Sequence, residues 1–377
     1  MIKKLSIWLL QVAAVSAVVL LAVCPISCKV TDEGLQLLRG DYVPPVLEFY
    51  AASSAQSVSL TFSKKVTITG AIVTPVDEQS SGIAASDLSA LAPALAAVSG
   101  ETNGIPVVIS YENNGRTARA TAQQEFAAGK QYELYGEAQD ENGNTLTFCI
   151  PFVGFNARVP RMIISGIHPM YASDKFKCEF VELYALTAGN IAGITISSAA
   201  DGSDKSCMLP AAEVNAGDVV IVHLRTKGDG CVSELGNDLS LSSGWYTSNA
   251  ARDIWIQNEN ARLGDKEDVV MIVNSFTDEI LDAAMYVSPE SDSWSKEAVA
   301  AAAQEVAHAG FWQNADPSVA ASCTYPVNLT AARMLKRSGC KSLLAVAQNG
   351  TLEAVIAHHK ENWRVEAIKN GAFIPVE

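Results

Sequence analysis

The chain has 377 residues, of which 49% are hydrophobic, 18% charged and 7% aromatic. That is enough apolar material to fill a core, and it excludes a disordered, solvating chain. Lys and Arg number 27 against 41 Asp and Glu, a formal net charge of −14. Phosphate binding rests on basic side chains, so nucleic acid is not an expected partner. At ~100–200 residues per domain, the length accommodates two domains.

Met1-Ile2-Lys3-Lys4 sets two cations ahead of an apolar run from Leu5 to Val23, broken by Ser6, Gln11 and Ser16. A positive start followed by such a run is the order of an export signal. An uncleaved helix also fits, since ~20 apolar residues span a bilayer, as does an ordinary secretory signal. All of these put the folded part outside the cytoplasm. The chain continues Cys24-Pro25-Ile26-Ser27-Cys28-Lys29. A cysteine directly after such a run resembles the lipobox of bacterial lipoproteins, in the loose form found in spirochaetes. The resemblance implies acylation of Cys28, which follows the small Ser27. Cys24, with Leu21 and Ala22 upstream, is the alternative. Residues 29–43 then read as a solvated tether.

Residues 44–158 form the first expected unit. Val58, Leu60 and Phe62 alternate with Ser57, Ser59, Thr61 and Ser63, the period of a half-buried strand. Further strand signals follow at Ile68 to Val76, Val107 to Tyr111, Thr117 to Thr121 and around Tyr132 to Tyr135. An Ala/Ser/Gly-rich stretch, 77–104, reads as a surface insertion. Short strands punctuated by Asn-Gly indicate a β-sandwich. Gly129 to Tyr132 with Asp140 to Leu146 resembles the Gly-x-x-Tyr and Asp-x-x-Gly-Asn-x-Leu pattern of bacterial Ig-like domains. Asp140, Asn142 and Asn144 also mimic the start of a calcium loop. No acidic residue closes that loop, so a hairpin turn is expected and no metal.

Residues 159–377 form the second unit. Strand patterns recur at Met162 to Ile167, Cys178 to Tyr184, Ile194 to Ile196, Gly217 to Leu224, Ile254 to Ile256, Asp268 to Val273, Glu279 to Tyr286, Arg333 to Arg337 and Asn362 to Val365. The order Phe180-Val181-Glu182-Leu183, the Gly217 strand, Leu263-Gly264-Asp265 with Asp268-Val269-Val270, and Ile280-Leu281-Asp282 before Tyr286 resembles the lamin-tail domain. That resemblance implies an Ig-like sandwich. The fold class expected for the whole chain is all-β, two such sandwiches in tandem, the second interrupted at 226–249 and 287–322. The second interruption predicts a helix over Ala298 to Ala309, with Ser295 as N-cap and Gly310 as stop, lying along a sheet edge.

Chemistry-bearing residues are sparse. Five histidines occur (His168, His223, His308, His358 and His359), and none has zinc-ligand spacing. There is no nucleophile elbow, Walker loop or dinucleotide fingerprint. Glu179 and Glu182 fall on opposite strand faces. No enzymatic activity and no cofactor is therefore expected. Trp245, Tyr246, Phe311 and Trp312 lie in the two interruptions, where they are either loop anchors for a ligand or packing residues. Cys149, Cys178, Cys207, Cys231, Cys323 and Cys340 are either three disulfides of open pairing or free buried thiols.

The expected protein is a lipid-anchored module of the cell envelope, periplasmic or at the outer-membrane surface. It would bind or build structure without catalysis, with a protein or glycan partner. A substrate-docking accessory to an envelope hydrolase and a surface adhesin are the alternatives.

Overall fold

The computed structural model describes residues 28–31, 34–37, 41–76, 104–170, 179–200, 206–226, 228–258, 260, 262–289, 291–312, 325–326, 329–350 and 360–377. They divide into two compact units, one running to Phe152 and the other made mainly of Val153–Glu377. Both are all-β and sandwich-like, as the alternation predicts.

A short hairpin opens the first unit. β1 (Cys28–Thr31) runs antiparallel to β2 (Gly34–Leu37), with Cys28 opposite Leu37. The expected solvated tether is therefore partly paired. Its end is also tied down: Lys64 Nζ donates to Asp41 Oδ2 and to the Val43 carbonyl, both at 2.5 Å. The Val46 N–H reaches Ser63 Oγ, and Pro45 is buried.

Seven strands follow: β3 (Leu47–Ser54), β4 (Ser57–Phe62), β5 (Thr67–Pro75), β6 (Ile105–Glu112), β7 (Thr117–Ala122), β8 (Gln131–Gln139) and β9 (Thr145–Val153). They join in the order β3-β4-β7-β6-β5-β8-β9. β5 and β6 share only two paired positions, Ile72 with Pro106 and Val73 with Ile105. There the sheet folds over on itself. Phe62 of β4 consequently meets Phe148 of β9, ring centroids 6.2 Å apart, although the two strands are distant in the sheet order. Val58, Leu60 and Phe62 fill the interior with Ala118, Ala120, Leu134 and Ile150. The alternating pattern of β4 is thus one dry face and one wetter one.

The second unit contains, in chain order, β10 (Met162–His168), β11 (Phe180–Ala185), β12 (Gly189–Asn190), β13 (Ile194–Ser198), β14 (Cys207–Met208), β15 (Glu213–Val214), β16 (Val219–His223), β17 (Arg252–Trp255), β18 (Glu267–Asn274) and β19 (Glu279–Val287). Helix α1 (Glu297–His308), β20 (Tyr325–Pro326), β21 (Arg333–Arg337), helix α2 (Cys340–Gln348) and β22 (Trp363–Ala367) complete it. One sheet has the order β17-β16-β11-β10-β21-β22 and the other β14-β13-β18-β19-β20, with β12 and β15 as a separate pair. Met162, Ile164, Val181, Leu183, Val220 and Val222 of the first sheet pack on Ile194, Ile196, Val270, Ile272, Ala284 and Tyr286 of the second.

The two outward faces are covered as well. Ile163, Phe180, Ile221 and Met334 lie beneath Tyr246, beneath Cys340 and Ala347 of α2, and beneath Ile368 and Val376 near the end of the chain. Val269, Ala283 and Met285 lie beneath α1 and Trp312. Four layers result, and every residue of β10, β11 and β16 is buried. Strands covered on both faces lose the polar alternation of a half-buried sheet.

Helix α1 differs from expectation in two ways. Its cap residue is Lys296 and makes no side-chain cap bond. The carboxylate of Glu267 on β18 substitutes, accepting the N–H groups of Ser295 and Lys296 at 2.8 and 2.9 Å and the Ser295 hydroxyl at 2.6 Å. The helix also covers a sheet face rather than an edge. Val299, Ala302, Ala303 and Val306 are its buried residues, and that i, i+3, i+4, i+7 stripe needs a broad apolar surface opposite. Gly310, at φ 82°, ends it as predicted.

Candidate functional site

The unexpected feature of the second unit is the quantity of charge inside it. Glu182 of β11 and Lys336 of β21 both lie opposite Gly166 on the strand between them. A Cβ at Gly166 would collide with the end of Met334 and crowd Glu182, so the glycine leaves the gap that the two charges cross. Lys336 Nζ donates to Glu182 Oε1 and Oε2 at 2.6 and 2.7 Å and to the Ile374 carbonyl at 2.7 Å. That uses all three ammonium protons. Ser165 Oγ adds a 2.6 Å bond to Glu182 Oε1. On the opposite face, Arg337 reaches Asp282 at 3.4 Å, and Asp282 also accepts the Ile164 N–H at 2.7 Å.

A second network lies at the β17 edge. His223 Nε2 donates to Asp253 Oδ1 at 2.7 Å, and the imidazole stacks on Trp255, centroids 3.7 Å apart and planes 5° off parallel. Burial holds the His223 pKa below the usual imidazole range, against an opposing pull from Asp253. Burial thus favours the neutral ring, and among the described residues its Nδ1 has no hydrogen-bond partner. Glu234 accepts the Asp253 N–H at 2.9 Å and the Ser242 N–H at 3.1 Å, and its own N–H donates to the Asp253 carbonyl at 2.9 Å. Trp255 Nε1 donates to Ser242 Oγ at 2.9 Å. The 230–243 loop is thereby fastened along the sheet edge, the position expected for the helix.

A third group grips residues 262–264. Glu179 accepts the N–H of Arg262 at 2.8 Å, Asp268 accepts that of Gly264 at 2.9 Å, and the Tyr286 hydroxyl donates to the Gly264 carbonyl at 2.7 Å. Burial raises Glu179 to about 7 and Asp268 to about 6, against the lowering effect of these hydrogen bonds. Glu179 and Glu182 occupy opposite strand faces, as read from the sequence, and belong to separate networks. A His-Asp pair resembles the base of a hydrolase, but here the ring is 0% exposed and a base must reach substrate.

The aromatic loop residues are packed down. Tyr246 is 0% exposed, stacked on Phe180 with centroids 4.2 Å apart, and Trp312 is 5% exposed against α1. Trp245 and Phe311 are half-buried, Trp245 lying 5.2 Å from the His168 ring. Of the two roles weighed for them, packing is the one their positions fit. The large apolar side chains that the 226–249 interruption exposes are Val232, Leu235 and Leu241 instead. Aliphatic residues in a Gly/Ser-rich loop gave no sequence signal beyond their failure to join any periodic pattern.

Asp140 is saturated by donors. Its Oδ1 accepts the Asn142 and Asn144 N–H groups, both at 2.9 Å, while Oδ2 receives Asn144 Nδ2 at 2.8 Å and Lys64 at 3.4 Å. This is the hairpin turn. His168 is buried, His308 is exposed, and His358 and His359 lie outside the described residues. Cys24, Cys178 and Cys323 also lie outside them. Cys340 carries a free buried thiol, pushed by burial to about 11, and Cys149 is a free, half-buried thiol.

Residues 160–365 match the family described as TP_1001_2nd, protein second domain. The chain belongs to that family. A relative in Treponema pallidum (strain Nichols), an uncharacterised protein, is 33% identical over 160 residues, 42% of this chain. The match spans 39% of the relative's length. The boundary of the second-domain family at residue 160 falls just before β10. Among solved structures, a methionine-rich copper resistance protein from Escherichia coli, PcoC, aligns at 14% identity over 29% of this chain and 98% of its own, with a TM-score of 0.21. The N-terminal part of the bacterial S-layer protein SbsC aligns at 13% over 64% and 43%, with a TM-score of 0.22. A DUF4876 family protein from Bacteroides thetaiotaomicron aligns at 13% over 60% and 78%, with a TM-score of 0.24. Scores this low carry nothing across to the second-domain family.

Proposed function

We propose that the chain is an exported envelope protein, anchored by lipid at Cys28, that acts without catalysis as a binding or structural scaffold. The observation that carries this is the fate of its interior charges. Glu182, Lys336, Asp282, Arg337, Asp253 and Glu234 are buried and bonded to one another or to backbone. Such networks rigidify a fold, whereas catalytic groups lie in a cleft. The leader-like residues 1–28 support export. The Treponema pallidum relative supports the loose spirochaetal form of the lipobox, and the sandwich-like form of both units agrees with the Ig-like and lamin-tail resemblances.

A second reading, a docking accessory to an envelope hydrolase or an adhesin for a protein or glycan, draws on Val232, Leu235 and Leu241. They are 45–49% exposed on a loop that Glu234 holds rigid.

Metabolic labelling with an alkyne fatty acid tests the anchor. Label is expected on the wild-type chain and lost in Cys28→Ala; loss only in Cys24→Ala would move the site, and no label at all would end the reading. Protease treatment of intact and permeabilised cells then separates an adhesin, cleaved on intact cells, from a periplasmic scaffold.

A further inference from the structure

We infer that the tether-proximal edge of the first unit rests on the lipid surface that holds the anchor. The inference depends on the lipid-anchor reading and adds to it a face, an orientation and a headgroup chemistry.

Five large apolar side chains crowd into nine positions at the start of this unit. Tyr42, Val43, Val46, Phe49 and Tyr50 are 37%, 57%, 55%, 60% and 40% exposed. They run onto β3, the terminal strand of the seven-stranded sheet. Among the described residues no strand pairs with its outer edge. Edge strands are ordinarily blunted by proline or by charge. The opposite terminal strand, β9, carries Pro151, whereas β3 has no proline, carries Glu48 as its one charge, paired with Arg116, and presents Phe49 and Tyr50 to its two sides.

The route of the chain sets the occupant. Cys28 lies opposite Leu37 in the β1–β2 hairpin, which brings their Cα atoms to ~5 Å. From Leu37 to Asp41 the backbone spans at most ~14 Å. Asp41 therefore stays within ~20 Å of the backbone of Cys28, and Lys64 ties Asp41 to the body. An acyl chain on Cys28 would bring this edge down to the headgroups.

The chemistry of the rim agrees. Tyrosines with aliphatic neighbours suit the interfacial layer. The cations around them come in pairs with acids: Lys64 with Asp41, Lys65 with Glu141, and Arg116 with Glu48. Adjacent opposite charges match zwitterionic headgroups, while the net charge of −14 disfavours anionic ones. Backbone groups on the outer edge of β3 beside Phe49 and Tyr50 would meet headgroup oxygens and water rather than another strand.

The test places photoreactive benzoylphenylalanine at Phe49 in the full, lipidated chain, reconstituted in phosphatidylcholine vesicles. Phe49 is outside the core, and the same probe at Tyr50 guards against a local failure. Phospholipid adducts are expected at both positions, several-fold above a probe at Val108, which is 66% exposed on β6. Cross-links to a second copy, to the 77–103 segment, or to nothing overturn the inference, provided the N-terminal peptide carries the lipid mass. An N-terminal peptide without that mass overturns the anchor reading and this inference with it.

Discussion

Lys336 Nζ and the two carboxylate oxygens of Glu182 meet across Gly166 at 2.6 and 2.7 Å, with neither side chain exposed. Each charge depends on the other for solvation. Lys336→Met leaves a buried carboxylate without its cation and is expected to cost about 3–5 kcal/mol. Adding Glu182→Leu removes the stranded charge and should recover most of that loss, because well-packed apolar pairs replace buried ion pairs at little cost. Denaturant midpoints of the two variants check this. A single variant as stable as the double one would show that the pair is not what holds these strands.

Acidity should strengthen the second unit. Burial raises Glu179 to about 7 and Asp268 to about 6, from ordinary values of 4.5 and 3.8. Between those limits the folded chain holds protons that the unfolded chain has released, so stability falls as pH rises. From pH 8 down to 6.5 it should therefore increase, carried mostly by Glu179. The full effect of a shift that size is on the order of 3 kcal/mol. His223, whose pKa burial lowers, acts in the opposite sense below 6.5. Glu179→Gln should flatten the slope of unfolding free energy against pH over 6.5–8, and an unchanged slope would remove Glu179 from the account.

The 230–243 loop should open as a unit when Glu234 is lost. Its carboxylate takes the Asp253 and Ser242 N–H groups, and Arg252 is bonded to the carbonyls of Glu234 and Gly236. Glu234→Ala strands two buried donors, at about 1–3 kcal/mol each. Hydrogen exchange at Ser242, Asp253 and their neighbours is expected to accelerate while β10 and β11 stay protected. Acceleration spread evenly over the unit would instead mean global destabilisation.

Gly264 should tolerate no side chain. A Cβ there would overlap the carbonyl oxygen of Glu267 and press on Ala200. A backbone oxygen cannot step aside as a flexible side chain can. Gly264→Ala is expected to lower stability by about 2 kcal/mol or more, read as a fall in Tm. Gly143→Ala, which meets no neighbouring atom among the described residues, is the control and pays only for its positive φ.

The alternating strand at Val58, Leu60 and Phe62 was legible because one face is dry and the other is not. The apolar run at Val219–His223 was legible for the opposite reason, since both faces are covered. The interior charges were not. Glu182, Asp253, Asp268 and Asp282 each interrupt an apolar strand, and period-two reading assigns such a residue to solvent. A signal existed in Lys336-Arg337, two adjacent cations in a strand beside Met334-Leu335. Neighbours on a strand point to opposite faces, so one must serve each layer, and Glu182 and Asp282 are their partners. Helix α2 went unread because it starts after Gly339 at φ 77° with no side-chain cap. Its buried anchors, Cys340 and Ala347, are too small to mark a stripe.

The third proton of Lys336 goes to the Ile374 carbonyl, the Tyr246 N–H donates to the Gly371 carbonyl, and the Lys341 N–H donates to the Glu377 carbonyl. The outer layer of the six-stranded sheet is thus closed by residues 371–377, which follow all of its strands in the chain. A nascent chain that has reached Arg337 has both members of the central ion pair but lacks the covering that makes them stable. The covering over Lys336 is complete only when residues 371–377 are in place, however early the first strands emerge. For a chain proposed to cross a membrane before it folds, that dependence would keep the strands threadable until residues 371–377 have followed them across.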